Sequence, residues 1–555
     1  MEDRPWHRHY DYNVPASIRY PRICIHDLLT LPTNTFPNKP ATIFFGTEMT
    51  FSQLHNQVLR MANALGALGI QKGDRVGLHL PNCPQYLIAF YGLMHLGAIV
   101  VNMNPMYTPD ELKLIAENTE IRMLITFDMV LSNVHTLCES VEIPCVIVTR
   151  VTDWVEGMPR STPDELELEE GWLHFSTLLD NCSDARRPRV DVFPGDPATL
   201  QFTGGTTGVP KGAVTTHENL VAAAYTFLAW TNPILPLVAP EKRTTLAVLP
   251  YFHSYGNSVV MGMALASCST QIVVPRFDVN SLVDLLGQFE SITFFPTVPT
   301  IITALLNHPK AGELNLGERL GTLVSGAAPL PQELAEQANE MGIILAEGYG
   351  LSESCSVGCV NPALGLKKVG SIGLPSSGVD MRIVDLEEGK EEVPLGERGE
   401  LIMRGPTVTQ GYWKNPEETA NQFRDGWLYT GDIATRDEDS YFYIVDRKKD
   451  MIIAGGFNVY PREVDEVLYQ HPKVFQAVAV GIPDEYRGET VKAYVVLKPG
   501  ETATEDDIIR FCRKKLAAYK VPKLVEFRNS LPQSAIGKVL RKILREEEEE
   551  KRKKE

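Results

Sequence analysis

Residues 201–220 read QFTGGTTGVPKGAVTTHENL, and their types suit an anion cradle. Gly204, Gly205 and Gly208 permit positive φ, so backbone N–H groups can converge on one point. The hydroxyls of Thr203, Thr206 and Thr207 add donors and Lys211 adds charge. Two phosphate loops of known pattern fail when tested letter by letter. A GxxxxGK[ST] loop fails because Lys211 follows Pro210 and precedes Gly212. A GxGxxG fingerprint fails at GYGLSE, where Gly348 and Gly350 are followed by Glu353 in place of the third glycine. A plain Gly/Thr turn ahead of a helix accounts for the loop equally well while it is taken alone.

Other residues able to do chemistry are spread along the chain. Glu353 offers a carboxylate, although Ser352 and Glu353 would also suit a helix cap. Asp432, in YTGD, accepts only when ionised, and a turn aspartate is its plainer role. Arg447 presents a rigid fork of donors. His253, in LPYFHSYGNS, is a lone histidine, and such residues are more often structural than catalytic.

The elements that must position these residues read as α/β. Leu54, Val58, Met61, Leu65 and Leu68 form one helical stripe, followed by strand-like GDRVGLHL, helical QYLIAFYGLMHLG and strand-like AIVVNM. This alternation predicts doubly wound, mostly parallel sheets. TLVSGAAPL and IILAEGYG repeat the pattern of a strand running into a small-residue loop, where ligands of such sheets bind. The character changes near Asp446: strands flank the charged tetrad Arg447–Asp450, and a proline-started helix, two strands and a helix over Asp506–Leu516 follow. We read residues 1–446 as a large domain, 447–545 as a small α+β domain and 546–555 as a charged, solvated tail with Glu547–Lys551 and Glu550–Lys554 spacings.

Composition narrows the class. A chain of 555 residues exceeds one core. A formal charge of −17 argues against a general nucleic-acid or anionic-membrane binder. The nine scattered cysteines, without a CxxC pair, read as reduced thiols in a cytoplasmic protein, neither a disulfide framework nor a zinc site. The N-terminus lacks an apolar signal region, and the apolar run Ser258–Pro275 is too interrupted for a transmembrane segment. A soluble protein is expected.

Taken in order, FTGGTTGVPKG, GYGLSES, YTGD, DRKKDMIIAGGFNVYP and LPQSAIGKVLRK resemble the adenylate-forming superfamily over nearly the whole chain. The resemblance is strongest to bacterial and archaeal medium- or long-chain fatty-acid–CoA ligases, within which Gly204 stands where many relatives carry Ser. It implies a large N-terminal domain that includes a β-barrel-like subdomain, and a small mobile C-terminal domain. It implies ATP, Mg²⁺ and coenzyme A as cofactors and cosubstrates. Thr203 to Lys211 would surround the β- and γ-phosphates, and Glu353, with Thr203, would hold Mg²⁺. Gly326, Ala327 and Ala328 would let adenine and the acyl carbonyl approach backbone, and Tyr349, between Gly348 and Gly350 and ahead of Ser352, would pack on adenine. Asp432 would take the ribose hydroxyls, with Arg447 on the ribose or a phosphate. Lys538 would bridge the carboxylate and α-phosphate. Lys449 matches the hinge, and Gly455 and Gly456 would line the pantetheine path. His253 would contact the carboxylate or gate the pocket.

The implied reaction is AMP-forming activation of a medium- or long-chain fatty acid, then transfer to coenzyme A. An aryl or alicyclic acid–CoA ligase is the alternative, since the motifs serve all acids alike. Behind these come an acyl-AMP ligase for a carrier protein and a catalytically silent scaffold. Some long-chain members place Trp where this chain has Asn257, so chain length is left open. Pairing through the large domain as a homodimer is common in similar enzymes.

Overall fold

The computed structural model describes residues 4–203, 210–454, 457–484, 488–535 and 537–554. Among these the large N-terminal part holds two sheets. A nine-stranded sheet runs Leu374–Pro375, Cys359–Val360, Ile344–Tyr349, Leu320–Ser325, Ile292–Thr297, Thr244–Ala247, Thr270–Val273, Pro40–Phe44, Thr47–Thr50. Its interior pairings are parallel, and the antiparallel ones lie at its ends. A seven-stranded sheet is parallel except where Pro197–Thr203 meets Lys211–Thr216.

One continuous apolar cluster draws from both sheets and from the helices Phe51–Ala67 and Pro84–Leu96. Leu54, Val58, Met61 and Leu65 are buried in it, whereas Leu68, at the helix end, is exposed. Every residue of Pro84–Leu96 is buried, as expected of a helix apolar all round. The run Ser258–Pro275 folds as the end of a wide helical turn over Tyr255–Gly262, the short helix Met263–Ala266 and the strand Thr270–Val273. Among the described residues no helix is long and apolar enough to cross a membrane.

A five-stranded antiparallel sheet between Asp380 and Arg447 forms the remaining all-β unit. Its last strand, Phe442–Arg447, ends at the turn Lys448–Asp450, so Arg447 belongs to a strand and the predicted tetrad is a three-residue turn. A separate cluster then begins with Ile452 and unites the helices Pro461–Tyr469 and Glu505–Arg513 with a sheet of their own.

The tail differs from expectation. Helix Arg541–Lys554 runs through residue 546 without a break, and its Leu544 is buried against the sheet. Glu548 is only 8% exposed and accepts from Lys492 Nζ and Tyr494 OH, each at 2.8 Å. Glu547 bonds to Arg528 at 2.6 Å, and Lys551 reaches Glu526 and Glu548 at 2.9 Å rather than Glu547. Charges spaced for a solvated helix were drawn instead to opposite charges that the sheet presents, a pairing invisible to i,i+4 counting.

Candidate active site

A cleft of about 2530 Å³ opens between the large and small parts, lined by residues of both. Its walls are made by strand ends. Leu320–Ser325 runs into Gly326–Ala327–Ala328, and Ala327 takes φ 65° there. A Cβ on Gly326 would press on the Tyr255 ring at 3.2 Å, so the turn packs closely on its neighbours. Ile344–Tyr349 delivers Gly348 and Tyr349, and a Cβ on Gly350 would collide with the Ser356 backbone.

Strand register sets one side. Antiparallel pairing places Asp432 directly opposite Arg447. Arg447 Nε lies 3.2 Å from Asp432 Oδ1, and Tyr349 donates its hydroxyl to Oδ2 at 2.6 Å. Asp432 is 3% exposed, so its charge is held by two donors out of bulk water. Asp432 in turn raises the Arg447 pKa above its ordinary value. Burial, and then the Asp432 charge, push the Tyr349 phenol well above its usual range.

The opposite side gathers Lys211, Glu353 and two residues that the sequence did not disclose. Glu353 sits in the turn Ser352–Ser354, capped by Ser354 on the Leu351 N–H, so the cap is neither Ser352 nor Glu353. Its Oε1 accepts from Tyr412 OH at 2.7 Å. Tyr412 reaches this position because Val214 N–H bonds to Gly411 and Trp413 N–H to Gly212, zipping the segment onto strand Lys211–Thr216. Lys211 pairs with Glu418, on the helix Pro416–Gln422, and lies over the Tyr412 ring. Ser352 Oγ is 3.3 Å from Ser254 Oγ. Tyr412 and Glu418 carry no local signal, since more than fifty residues separate them from their partners.

Lys538 enters from the small part on a tight loop. Gly537 N–H and Lys538 N–H bond to Ser534, and Ser534 N–H returns to the Lys538 carbonyl at 2.8 Å. Gly537 takes φ 73°, and a Cβ there would collide with Thr300 Oγ1 of the large part. The Lys538 ammonium is pushed down to about 7, first by the Arg447 charge and then by burial. His253 lines the same cleft: burial, and then the Lys538 charge, lower the imidazole to about 4, and Nδ1 accepts from the Tyr255 N–H at 3.2 Å. A further cleft carboxyl, Glu347, is buried and pushed up to about 7 by that burial, while it accepts from Leu330 N–H at 3.2 Å. Lys449 lies exposed in the turn Lys448–Asp450, and Asp450 pairs with Arg545.

Gly204, Gly205, Thr206, Thr207, Gly208, Gly455 and Gly456 lie outside the described residues, as does the side chain of Thr203. The backbone of Thr203 pairs with Lys211 at the mouth of that loop.

A pocket at strand ends, reached by a lysine from a second unit, lies where sheets of this kind bind their ligands. Residues 32–413 match the AMP-binding enzyme family and residues 463–538 match the AMP-binding enzyme C-terminal domain. The chain belongs to this family. It is 39% identical, over 99% of both chains, to a long-chain-fatty-acid–CoA ligase of Bacillus subtilis (strain 168). ATP-bound MatB from Rhodopseudomonas palustris superposes with a TM-score of 0.82 at 28% identity, over 94% of this chain and 98% of that one. A benzoate CoA ligase from Burkholderia xenovorans LB400 does so with a TM-score of 0.81 at 26% identity, over 94% and 100%.

Proposed function

We propose that this protein is an AMP-forming acid–thiol ligase that activates a medium- or long-chain fatty acid and passes it to coenzyme A. The single observation that carries the proposal is Lys538, which lines one cleft together with His253 and the Arg447–Asp432–Tyr349 cluster.

A carboxylate is a poor electrophile because attack on it would have to expel oxide. Here a carboxylate oxygen attacks the α-phosphorus of ATP, the bond to the bridging oxygen breaks, and pyrophosphate leaves with the electron pair. The thiol of coenzyme A then attacks the acyl-adenylate carbonyl, loses its proton, and AMP departs. Lys538 supplies positive charge where the carboxylate and α-phosphate meet. Asp432 accepts the ribose hydroxyls, and Tyr349 and Arg447 hold that carboxylate in place. Lys211 faces the pyrophosphate half of ATP once Glu418 releases it. His253, neutral at physiological pH, borders the acyl carboxylate. Glu353, a buried hard-oxygen donor oriented by Tyr412, fits Mg²⁺. When bound with ATP, that ion neutralises phosphate charge. Lys449 is the pivot about which the small domain turns to withdraw Lys538 and admit the thiol. Nine free cysteines support a reducing, cytoplasmic setting.

Pyrophosphate release with Mg·ATP, measured across acids from acetate to palmitate plus benzoate, with and without coenzyme A, tests the proposal. CoA-dependent turnover peaking on a medium or long chain bears it out. A peak on benzoate moves the substrate to the aryl class, release indifferent to coenzyme A points to a carrier-protein acceptor, and no release with any acid overturns it. Lys538→Ala should abolish adenylation while sparing transfer from preformed acyl-AMP.

A further inference from the structure

Away from the cleft, three buried soft or borderline donors converge, and a fourth, His95, packs its ring against one of them. Cys24, His26 and His217 bring one ligand atom each to within 4.8 Å of one another. The His95 ring lies on His26 with centroids 4.2 Å apart and planes at 37°. None of the four is more than 5% exposed, and none lines the cleft.

Their polar atoms are poorly paired. Both nitrogens of His95 and Nε2 of His217 lack a hydrogen bond, while the His26 ring has the Met94 carbonyl as a weak backbone partner. Ile25 N–H approaches His217 Nδ1 only at 3.4 Å, and the Cys24 thiol donates to the Val192 carbonyl at 3.4 Å. A buried donor or acceptor left unpaired is costly, and three such nitrogens lie together here.

We propose that Cys24, His26 and His217, with His95 on the fourth side, bind one transition-metal cation of the zinc(II) or copper(I) class. Thiolate with imidazoles is the donor set such ions select. Tetrahedral zinc bonds of about 2.0–2.3 Å set ligand atoms roughly 3.3–3.8 Å apart, so the cluster closes by about an ångström on loading. Binding removes the thiol proton from Cys24 to solvent.

An outer partner is already in place. Asp27 Oδ1 lies 3.7 Å from His26 Nε2, so a metal on Nδ1 leaves Nε2–H facing a carboxylate. Arg187 now donates to that Nε2 at 3.0 Å, and its other terminal nitrogen already meets Asp27 at 3.1 Å. The side chain of Arg187 is 61% exposed and can turn wholly onto Asp27. The ion would staple three segments: the turn Ile25–Leu29 with its cap Cys24, the end of helix Pro84–Leu96, and the start of helix His217–Trp230. Cysteine spacing cannot reveal such a site, because Cys24 and His26 stand scores of residues from His95 and His217.

The test uses the full-length protein, stripped with chelator and titrated with Co²⁺, then separately with Zn²⁺ followed by desalting. Expected are a thiolate-to-cobalt charge-transfer band saturating near a single ion per chain, one retained zinc, and a raised melting temperature. Cys24→Ser and His95→Gln should lose the band or weaken retention by about tenfold or more, as losing a ligand or its support does, while Cys182→Ser keeps both. Unchanged ligase turnover in the variants certifies that they fold. If the wild type retains no metal after desalting, or the Cys24→Ser and His95→Gln variants retain as much as it does, the proposal is overturned. The wild-type titration decides the matter even where a variant fails to fold.

Discussion

Gly537 and Thr300 touch across the cleft: the loop that carries Lys538 rests on the first turn of helix Pro299–Leu306 so closely that no Cβ fits between them. Docking of the small part is therefore registered by a contact one residue from Lys538.

Gly537→Ala adds a Cβ against Thr300 and forces alanine into φ 73°. The left-handed conformation alone costs roughly 1–2 kcal/mol, and the overlap adds to it. Acyl-adenylate formation should fall by about 10–100-fold, while thioester formation from preformed acyl-AMP is largely kept. Adding Thr300→Ala should recover part of the loss. Separate assays of the two half-reactions check this, and equal loss in both would place the defect in folding rather than docking.

Tyr349→Phe removes one of the two donors that hold Asp432. A hydrogen bond to a charged group is worth about 1.5–3 kcal/mol, part of which water restores in an open cleft. The KM for ATP should rise by roughly 3–10-fold with a smaller change in kcat. A variant altered in kcat alone would mean that Tyr349 acts elsewhere.

The Lys538 ammonium sits near pH 7 because Arg447 repels it and burial disfavours its charge. It is charged below that pH and neutral above it, and the role proposed for it toward phosphate and carboxylate needs the charged form. The kcat/KM for ATP, which reports the free enzyme, should therefore decline as pH rises through about 7. Bound ATP raises the pKa, so kcat should hold to higher pH. His253, at about 4, stays neutral across pH 6–9 and contributes no limb. In Lys538→Arg the remaining activity should lose this alkaline decline, since guanidinium stays charged. A flat wild-type profile would remove Lys538 from the role.

Glu548→Ala takes one of two carboxylates from Lys492, which keeps Glu526 at 2.7 Å, and leaves the Tyr494 hydroxyl only the Leu544 carbonyl at 3.5 Å. The expected loss is about 1–3 kcal/mol for the small domain, read by calorimetry as an earlier transition with little change in adenylation by the folded enzyme. A transition unmoved within error would mean that water replaces these bonds in full.

Much of this protein is written locally. Alternation of apolar helices and strands, the glycines that close strand-end loops, and ordered motifs containing Lys211, Glu353, Asp432, Arg447 and Lys538 are short-range patterns, and they specified the fold class and most of the cleft. What the sequence did not carry was decided by tertiary pairing. Tyr412 meets Glu353 because Gly411 and Trp413 zip onto a distant strand, Glu418 meets Lys211 across the same strand, and Glu548 turns inward because a sheet presents Lys492 to it. The convergence of Cys24, His26, His95 and His217 arises in the same way, from three elements packed around one core. Partners chosen by strand register and helix docking leave no periodicity in the chain, since what joins them is proximity after the backbone has closed on itself.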